Sequence, residues 1–465
     1  MVLSVDCIGG KKLSTCAIIL AAGQGQRMKS SLPKPLHKIA GYTMVEHVVR
    51  NVKKANFHQV YLVVGYQGDL VRQAVPDIEY VEQKQQLGTG HAVDQCRKKM
   101  EDFDGTVLVT YVDTPLFRPE TFKQVLAYHL KQKAAATVIT ADVDDPTGYG
   151  RIVRTDDGYL SQIVEHKDAT EVQKQITEIN TGTYCFDSKL LFKYIGKITP
   201  DNLQAEYYLP DVIPLMIEDG HLVAGFCLSD SDESMGINQR VQLAQAEKIM
   251  QRRICHEHML AGVTIINPEQ TYIEAGCEIG NDTIIYPNTY IQCGTKIGKN
   301  CTIGPNVRLA TAQLGEGVTI EQAVVTNSSI GSNTTVGPFA YIRPGSAIGM
   351  NCKIGDFVEV KNSRVGDKSK IPHHSYIGDA VIGTQVNIGC GVITCNYDGQ
   401  KKYQTIVDDN SFVGSNVNLV APVRVNKGAY IAAGSTITKD VPEKSLGIGR
   451  ARQVNKEGWK AEGDQ

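Results

Sequence analysis

The sequence has no apolar run of the ~20 residues that a membrane-spanning helix needs, and residues 1–15 lack the long apolar segment of a signal peptide. Its twelve cysteines are scattered, and no pair has the C-x-x-C spacing of a zinc ribbon or a redox motif. The formal net charge of −2 provides no strong field for binding nucleic acid. These absences favour a cytoplasmic protein with reduced thiols, in which any anionic ligand is bound by local cations.

A chain of 465 residues is too long for one ordinary core, and its two halves have different periodicities. Up to about residue 240, short apolar runs alternate with helix-like stretches, which predicts an α/β domain around a mostly parallel sheet. We expect a disordered extension at 1–14, a nucleotide-binding domain at 15–238 and a linking helix at 239–260. Residues 261–465 form the second predicted domain, which includes a C-terminal tail.

The second half repeats aliphatic residues every six positions, which neither a helix nor a simple strand produces. A triangular parallel β-helix does produce this period, with one inward aliphatic residue on each face, and the series corresponds to roughly nine coils. The register breaks near 310–325, 361–376 and 393–406, where loops suited to function are expected. One stretch of the series contains Ile273, Ile279, Ile285, Ile291, Ile297, Ile303 and Leu309.

The segment AIILAAGQGQRMKSSLPKPL, residues 17–36, is the first candidate site. Its small residues after an apolar strand allow backbone N–H groups to approach a ligand closely. Arg27 and Lys34 follow at a spacing that suits a polyphosphate. The segment matches neither the P-loop nor the G-x-G-x-x-G pattern. The candidate nucleotide-binding residues at the strand end are Leu20, Ala21, Ala22 and Gly23.

Further motifs follow in a fixed order, so that the chain from about residue 15 to 459 resembles one family. The motifs are QQLGTGHA (85–92), DTPL (113–116), DPTGYGRI (145–152), VEHKDAT (164–170), EINTG (178–182), EYYLPD (206–211), GIN (236–238) and NYDG (396–399). They resemble the bacterial bifunctional N-acetylglucosamine-1-phosphate uridyltransferases and glucosamine-1-phosphate acetyltransferases. This resemblance implies a Rossmann-like nucleotidyltransferase domain, a linking helix and a C-terminal left-handed parallel β-helix of hexapeptide repeats.

For the first domain, the resemblance implies transfer of UMP from UTP to N-acetylglucosamine 1-phosphate, with release of pyrophosphate. Asp113 and Asn238 would hold Mg²⁺, and Arg27 and Lys34 would act on the triphosphate. From the residues alone, Asp113 could equally cap a turn, and Gln86 or Glu165 could be solvated surface. The implied uracil-binding residues are Gln83, Gln86, Gly88 and Thr89, and the implied sugar-binding residues are Gly150, Glu165, Asn180 and Tyr207.

For the β-helix, the resemblance implies acetylation of glucosamine 1-phosphate by acetyl-CoA. We assign the general base to His373, with the neighbouring His374 as the alternative. An acyl-cysteine route through Cys390 or Cys395 is less favoured than direct transfer. The implied acceptor-binding residues are Arg343, Lys361, Tyr376 and Asn387, and the implied acetyl-CoA-binding residues are Cys390, Asn396, Tyr397, Ser415, Ala433 and Arg450.

Related proteins with this architecture form homotrimers in which each acetylation site uses neighbouring chains, and the resemblance implies the same assembly here. Two alternatives remain open at this stage. One is a single-activity sugar-nucleotide pyrophosphorylase whose β-helix only regulates or oligomerises. The other is a structural subunit without catalysis, against which Arg27, Lys34, Asp113 and Asn238 argue. Val112 and Gln26 depart from the family pattern, and a branched side chain at 112 could narrow the nucleotide pocket.

Overall fold

The computed structural model describes residues 7–8, 11–12, 14–202 and 204–459. The chain divides into two compact units, Met1–Met250 and Gln251–Gln465. Within the predicted extension at 1–14, Cys7–Ile8 pairs antiparallel with Lys11–Lys12, and the rest apart from Ser14 lies outside the described residues. The domain limits drawn from the sequence stay predictions. Among the described residues, every helix is too short or too polar to cross a bilayer.

A mixed nine-stranded sheet forms the centre of the first unit. Strand Thr15–Ala21 runs parallel to Gln59–Val64 and to Thr106–Tyr111. Strand Glu178–Asp187 runs antiparallel to three neighbours, so the sheet is less parallel than the sequence pattern predicts. The order is Leu160–Val164, Arg151–Arg154, Glu178–Asp187, Thr106–Tyr111, Thr15–Ala21, Gln59–Val64 and Glu79–Glu82, with Ala136–Asp142 beside Glu178–Asp187 and Val223–Cys227 beside Ala136–Asp142.

The central strands Thr15–Ala21 and Thr106–Tyr111 are buried on both faces, which explains why they are apolar runs without alternation. Along Thr15–Ala21, Ile18 packs in one apolar cluster and Ile19 in the cluster on the other face. A capping box between Thr43 and Glu46 fixes the start of the first long helix. The α-helices of this unit are Met44–Lys54, Gly68–Ala74, Thr89–Asp94, Pro119–Gln132, Glu171–Lys174, Ser188–Ile195 and Val212–Glu218.

Short elements complete this part of the chain, and a longer helix follows. The longer helix runs from Arg240 to Leu260, where the sequence predicts a linker. A small antiparallel pair joins Lys38–Ile39 to Tyr42–Thr43. The 3₁₀ turns are Gln26–Met28, Lys34–Leu36, Arg97–Met100, Leu209–Asp211, Ser231–Ser234 and, in the second unit, Pro268–Gln270.

The second unit consists of three sheets with parallel pairing, and it confirms the predicted left-handed β-helix of hexapeptide repeats. The first sheet contains Thr264–Ile265, Ile284–Ile285, Thr302–Ile303, Thr319–Ile320, Thr335–Val336, Lys353–Asp356, Lys370–His373, Asn387–Ile388, Phe412–Val413, Tyr430–Ile431 and Leu446–Gly447. The second contains Thr271–Ile273, Thr289–Ile291, Arg308–Ala310, Val324–Thr326, Tyr341–Ile342, Glu359–Lys361, Tyr376–Gly378, Ile393–Cys395, Asn418–Val420 and Thr436–Ile437. The third contains Glu278–Ile279, Lys296–Ile297, Gln313–Leu314, Ser329–Ile330, Ala347–Ile348, Arg364–Val365, Ala380–Ile382, Thr405–Val407 and Val423–Val425.

The six-residue aliphatic series forms the interior of this β-helix. Ile303, Leu309 and Ile354 are fully buried, as the period predicts. One position of the aliphatic series in the second sheet is polar: Thr394 is fully buried, and its hydroxyl accepts a hydrogen bond from the Gly378 N–H at 2.7 Å. Directly after it, the loop between Cys395 and Thr405 leaves the coil, at the predicted register break.

Candidate active sites

A cavity of about 570 Å³ lies at the carboxyl ends of the parallel strands in the first unit, where open α/β sheets usually bind ligands. Strand Thr15–Ala21 supplies its floor, and the segments after Glu79–Glu82 and Thr106–Tyr111 supply two walls. Most residues that the sequence analysis assigns to nucleotide and metal binding line this cavity. They are Leu20, Ala21, Ala22, Gly23, Arg27, Lys34, Gln83, Gln86, Gly88, Thr89, Asp113 and Asn238.

Lys34 is the centre of the polar contacts in this cavity. Its ammonium donates to Asp113 Oδ2 at 2.6 Å and to Asn238 Oδ1 at 2.8 Å. Arg27 also donates to Asn238 Oδ1, at 2.9 Å. Gly25 makes this position of Lys34 possible, because it has a φ of 63° and a Cβ there would lie 2.5 Å from Lys34 Cβ. The structure therefore groups both predicted cations with both predicted metal ligands.

The Asp113 side chain pairs with Lys34, and in the described part of the chain it forms no turn cap. Its assignment as a metal ligand stays a prediction. The Ile237 N–H donates to the Asp113 carbonyl at 2.8 Å, and this bond brings the GIN segment beside the strand end. Val112 is only 5% exposed and packs in an apolar cluster of the core. Its branched side chain is thus largely accommodated by the core, although the residue still borders the cavity.

The predicted uracil-binding residues form one wall with internal hydrogen bonds. Gln83 is buried, and its amide donates to the Gly88 carbonyl at 3.1 Å and lies 3.0 Å from His91 Nδ1. Gly88 has a φ of 108°, and a Cβ there would lie 2.5 Å from the Tyr207 carbonyl oxygen. Thr89 Oγ1 accepts from the Leu209 N–H at 3.0 Å. The wall is therefore fastened to the EYYLPD segment.

Of the four predicted sugar-binding residues, Gly150, Glu165 and Asn180 lie together, and none of the four lines the cavity itself. A Cβ on Gly150 would lie 3.2 Å from Glu165 Oε1 and 3.6 Å from Asn180 Cβ. Burial, helped by the charges of Asp168 and Asp211, raises the pKa of the Glu165 carboxyl.

Tyr111, which the sequence analysis missed, lies between the cavity and Gly182, whose N–H donates to Asn180 Oδ1. Its ring lies 3.4 Å from the position of a Cβ on Gly182, and it lines the cavity. Its position at the end of a buried strand, two residues before Asp113, is the signal that could have identified it.

In the β-helix, the imidazole of His373 pairs with a carboxylate that the sequence analysis did not identify. His373 Nδ1 lies 2.7 Å from Asp356 Oδ1, and both side chains are partly exposed. The hydrogen bond from His373 lowers the pKa of Asp356. The two residues stand opposite each other in the parallel strands Lys353–Asp356 and Lys370–His373. Sequence reasoning would have found Asp356 by stepping back one coil from His373.

His374 has a different environment. It has a φ of 42°, and its ring centroid lies 6.3 Å from that of Phe357, which in turn stacks on Phe339 at 5.2 Å. Phe339 and Phe357 are more than half exposed. Among the described residues, the Asp356 carboxylate therefore forms its side-chain contact with His373 and not with His374.

Three of the four predicted acceptor-binding residues lie on the second sheet of the β-helix. Arg343 forms an ion pair with Glu359 at 2.7 Å, and Glu359 stands opposite Tyr376. Lys361 stands opposite Gly378, over which the Tyr376 ring lies: a Cβ on Gly378 would be 2.4 Å from the Tyr376 hydroxyl. Asn387 lies on the first sheet, between Lys370 and Phe412, so the chain by itself does not group it with the other three.

The loop between Cys395 and Thr405 adds further polar groups beside Lys361 on the second sheet. Asn396 donates to the Asp379 carboxylate, whose other oxygen accepts from Asn362 at 2.6 Å. Lys361 Nζ lies 4.0 Å from the same carboxylate. A contact with Lys361 lowers the pKa of the Lys402 ammonium, so two like charges meet here. The sequence analysis missed Glu359, Asp379 and Lys402, because each contacts a residue on a neighbouring coil that is distant in the sequence.

The predicted acetyl-CoA-binding residues divide into two groups. Backbone hydrogen bonds from Asn416 N to the Cys390 carbonyl (2.7 Å) and from Gly434 N to the Ser415 carbonyl (2.8 Å) place Cys390, Ser415 and Ala433 on successive coils. Arg450 lies beside this column, since its Cδ is 3.9 Å from the position of a Cβ on Gly434.

The column of Cys390, Ser415 and Ala433 lies beside the histidine pair, because the N–H of Gly391, the residue after Cys390, donates to the His374 carbonyl at 3.0 Å. Asn396 and Tyr397 belong instead to the loop beside Asp379. Cysteine catalysis gains no support from Cys395, because burial raises the pKa of its thiol.

Comparison with known proteins agrees with this division into two sites. Residues 17–177 match the model of the MobA-like NTP transferase domain, which defines the first unit as a nucleotidyltransferase. Residues 276–311 match the bacterial transferase hexapeptide model, and residues 324–447 match the GMPPB C-terminal domain. The chain therefore combines a nucleotidyltransferase with a hexapeptide-repeat β-helix.

The full-length relatives are more specific. A protein of Clostridium botulinum named Bifunctional protein GlmU is 51% identical over 446 residues, which is 96% of this chain and 97% of that protein. Proteins with the same name from Acetivibrio thermocellus and Brevibacillus brevis are 52% and 50% identical, each over 95% of this chain and 96% of their own length. The chain belongs to the GlmU family.

Membership of this family confirms the two activities expected from the sequence. The protein acetylates glucosamine 1-phosphate from acetyl-CoA, and it transfers UMP from UTP to N-acetylglucosamine 1-phosphate with release of pyrophosphate. The alternative of a pyrophosphorylase with a non-catalytic β-helix is not favoured.

Proposed function

We propose that the two activities are divided between the two sites described above. UTP binds in the cavity of the first unit, with the base at Gln83 to Thr89 and the triphosphate at Arg27 and Lys34. The acetylated sugar phosphate binds beside Gly150, Glu165 and Asn180. The observation that carries this proposal is the convergence of Lys34, Arg27, Asp113 and Asn238 on one side of the cavity.

The same group of residues fits a magnesium ion. Asp113 and Asn238 each direct a side-chain oxygen at one ammonium, so the two oxygens are close together at the cavity edge. Mg²⁺ prefers oxygen ligands, and it usually takes one or two carboxylates together with substrate phosphates and water. When bound, the ion would neutralise charge on the triphosphate.

Uridyl transfer needs positioning and charge stabilisation more than covalent catalysis. An oxygen of the sugar phosphate attacks the α-phosphorus of UTP, and the bond to the pyrophosphate oxygen breaks on the opposite side. Arg27 and Lys34 stabilise the charge that develops on the phosphate oxygens and on the leaving pyrophosphate. Both cations reach Asn238 Oδ1, and Gly25, directly before the Gln26–Met28 turn, leaves room for the Lys34 side chain.

Acetyl transfer requires a base, because the amine must lose a proton as it attacks the thioester. His373 fills this role through Nε2, since its Nδ1 is occupied by Asp356. Arg343 and Lys361 bind the sugar phosphate, and Tyr376 borders the sugar. The exposed column of Cys390, Ser415, Ala433 and Arg450 holds coenzyme A, with its thioester end at the histidine.

We further propose a homotrimer that works in the cytoplasm. Asn387 and the Tyr376–Lys361 face lie on different sheets, so a site that uses both is more easily built from neighbouring chains. The eleven cysteines whose side chains the structure describes are free thiols, which is consistent with a reducing compartment.

The test is a coupled assay with the purified protein, glucosamine 1-phosphate, acetyl-CoA, UTP and Mg²⁺, in which free thiol and pyrophosphate are followed separately. We expect both products, with pyrophosphate dependent on prior acetylation. Omitting Mg²⁺ should stop pyrophosphate release and leave thiol release intact. Thiol release that also requires Mg²⁺ would contradict the proposed separation of the sites.

A further inference from the structure

Asp356 and His373 form a carboxylate–imidazole pair between successive coils of the β-helix. Their strands are adjacent and in register, so the carboxylate and the imidazole face each other from successive coils, 2.7 Å apart. A carboxylate accepts only, so it holds a proton on Nδ1 of His373 and leaves Nε2 free. The titratable groups that act on this carboxylate are His373 and His374, both from the next coil.

We propose that Asp356 is a positioning residue for acetyl transfer, because its carboxylate fixes the tautomer and orientation of His373 and stabilises the imidazolium formed during the reaction. This inference rests on the proposed role of His373 as the base. His374 does not share the arrangement, because its ring packs beside Phe357.

The reaction step defines when the carboxylate acts. The neutral amine nitrogen attacks the carbonyl carbon of the thioester, forming the C–N bond, and its proton passes to Nε2 of His373. The imidazolium then faces the Asp356 carboxylate on its Nδ1 side. The C–S bond breaks, and the imidazolium returns its proton to the departing thiolate. The result is the amide and free coenzyme A, and the histidine is again neutral.

A simpler interpretation is that the pair is one of several charge contacts between coils, like Arg424 with Asp408 at 2.8 Å or Lys296 with Glu278 at 2.8 Å. Such contacts on an exposed surface contribute little to stability, about 0–1 kcal/mol. A purely structural role would leave the pH dependence of the reaction unchanged. The pH dependence of acetyl transfer therefore separates the two interpretations.

The experiment compares the full-length protein with Asp356→Asn, Asp356→Ala and His373→Ala. Asp408→Asn serves as the matched control, because it removes a carboxylate from another inter-coil pair on the same β-helix. Thiol release from acetyl-CoA with glucosamine 1-phosphate is measured from about pH 5.5 to about pH 9. Pyrophosphate release from UTP and supplied N-acetylglucosamine 1-phosphate, which needs no acetylation, reports the integrity of the chain.

We expect Asp356→Ala to lower kcat for acetylation about tenfold, a modest loss because water reaches both side chains. Asp356→Asn keeps an acceptor but loses the charge, so its kcat should be closer to that of the unmodified protein. The acid limb of its pH–rate profile should move down by about one pH unit, because an imidazolium without the carboxylate forms less readily. The control should show neither change.

The possible results separate the role of His373 as the base from the role of Asp356. If His373→Ala retains full acetylation, the base is elsewhere and the proposed function of this site is wrong. If His373→Ala is inactive but both Asp356 variants match the control in rate and pH profile, the base assignment survives and the inference on Asp356 is wrong. A lower rate with an unshifted profile would also overturn it, because that result indicates a structural role alone.

Discussion

Replacing Lys34 with methionine should stop most of the uridyl transfer and leave acetylation unchanged. The Lys34 side chain is only 12% exposed, and its ammonium is shared between Asp113 at 2.6 Å and Asn238 at 2.8 Å. Methionine keeps most of the aliphatic stem on which Gly25 packs. The substitution therefore removes the charge and its hydrogen bonds while the shape of the loop is retained.

The expected size of the effect follows from these contacts. Loss of one donor that stabilises developing charge typically costs 10²–10³ in kcat, about 2.7–4 kcal/mol. Asp113 would also lose its cation, but its side chain is 26% exposed and water can replace part of that contact. The folding cost should then be about 1–3 kcal/mol, below the roughly 5–15 kcal/mol stability of a typical domain.

The assay uses UTP and N-acetylglucosamine 1-phosphate with pyrophosphate as the readout, and thiol release at the second site as the internal control. Lys38→Met is the matched variant, because Lys38 is exposed and does not line the cavity. A pyrophosphate rate within threefold of the unmodified protein would refute the role of Lys34. Equal loss of both activities would mean that the substitution damages the fold.

Substitutions at three other residues test separate parts of the structure. Asp113→Ala should abolish pyrophosphate release at any Mg²⁺ concentration and spare thiol release, since it removes the only carboxylate proposed for the metal; recovery at high Mg²⁺ would argue against direct ligation. Because burial raises the pKa of Glu165, the KM for N-acetylglucosamine 1-phosphate should increase as the pH falls below neutral, at a higher pH than for an ordinary glutamate, since the carboxylate acceptor is progressively lost. Glu165→Gln should remove this pH dependence, and an unchanged slope in that variant would assign it to another group. Thr394→Val should destabilise the β-helix by about 1–3 kcal/mol in denaturant unfolding, because the buried Gly378 N–H loses its acceptor, whereas Thr394→Ser should cost less.

The sequence predicts the β-helix well because its period reports directly on the interior. Each coil places an aliphatic residue such as Ile303 or Ile354 in the same environment, so local pattern and global fold agree. The first unit is less predictable, because a buried strand is apolar whichever way it runs. Strand Glu178–Asp187 pairs antiparallel on both sides, and nothing in its composition distinguishes it from a parallel strand.

The first site is predicted in more detail than the second, for a physical reason. Lys34, Asp113 and Asn238 lie in motifs that follow strands, and the carboxyl ends of the strands bring them to one edge. In the β-helix, the partner of a residue lies one coil away and has no motif of its own. Asp356 and Lys402 were missed for this reason, and Asn387 was grouped with residues of another sheet.

The geometry of the coil also bears on which histidine can act as the base. Asp356 stands opposite His373 in the strand register, and the His374 N–H donates to the Asp356 carbonyl at 2.8 Å. His374 therefore follows the paired position, and its positive φ turns the chain away at the corner. A shift of one residue in the strand register would be needed to bring His374 opposite Asp356 in place of His373. Inward residues such as Ile371 and Ile377 fix that register on both sides of the corner. His374 should accordingly be unable to replace His373, and acetylation should stay low in His373→Ala even though a second imidazole is present one residue away.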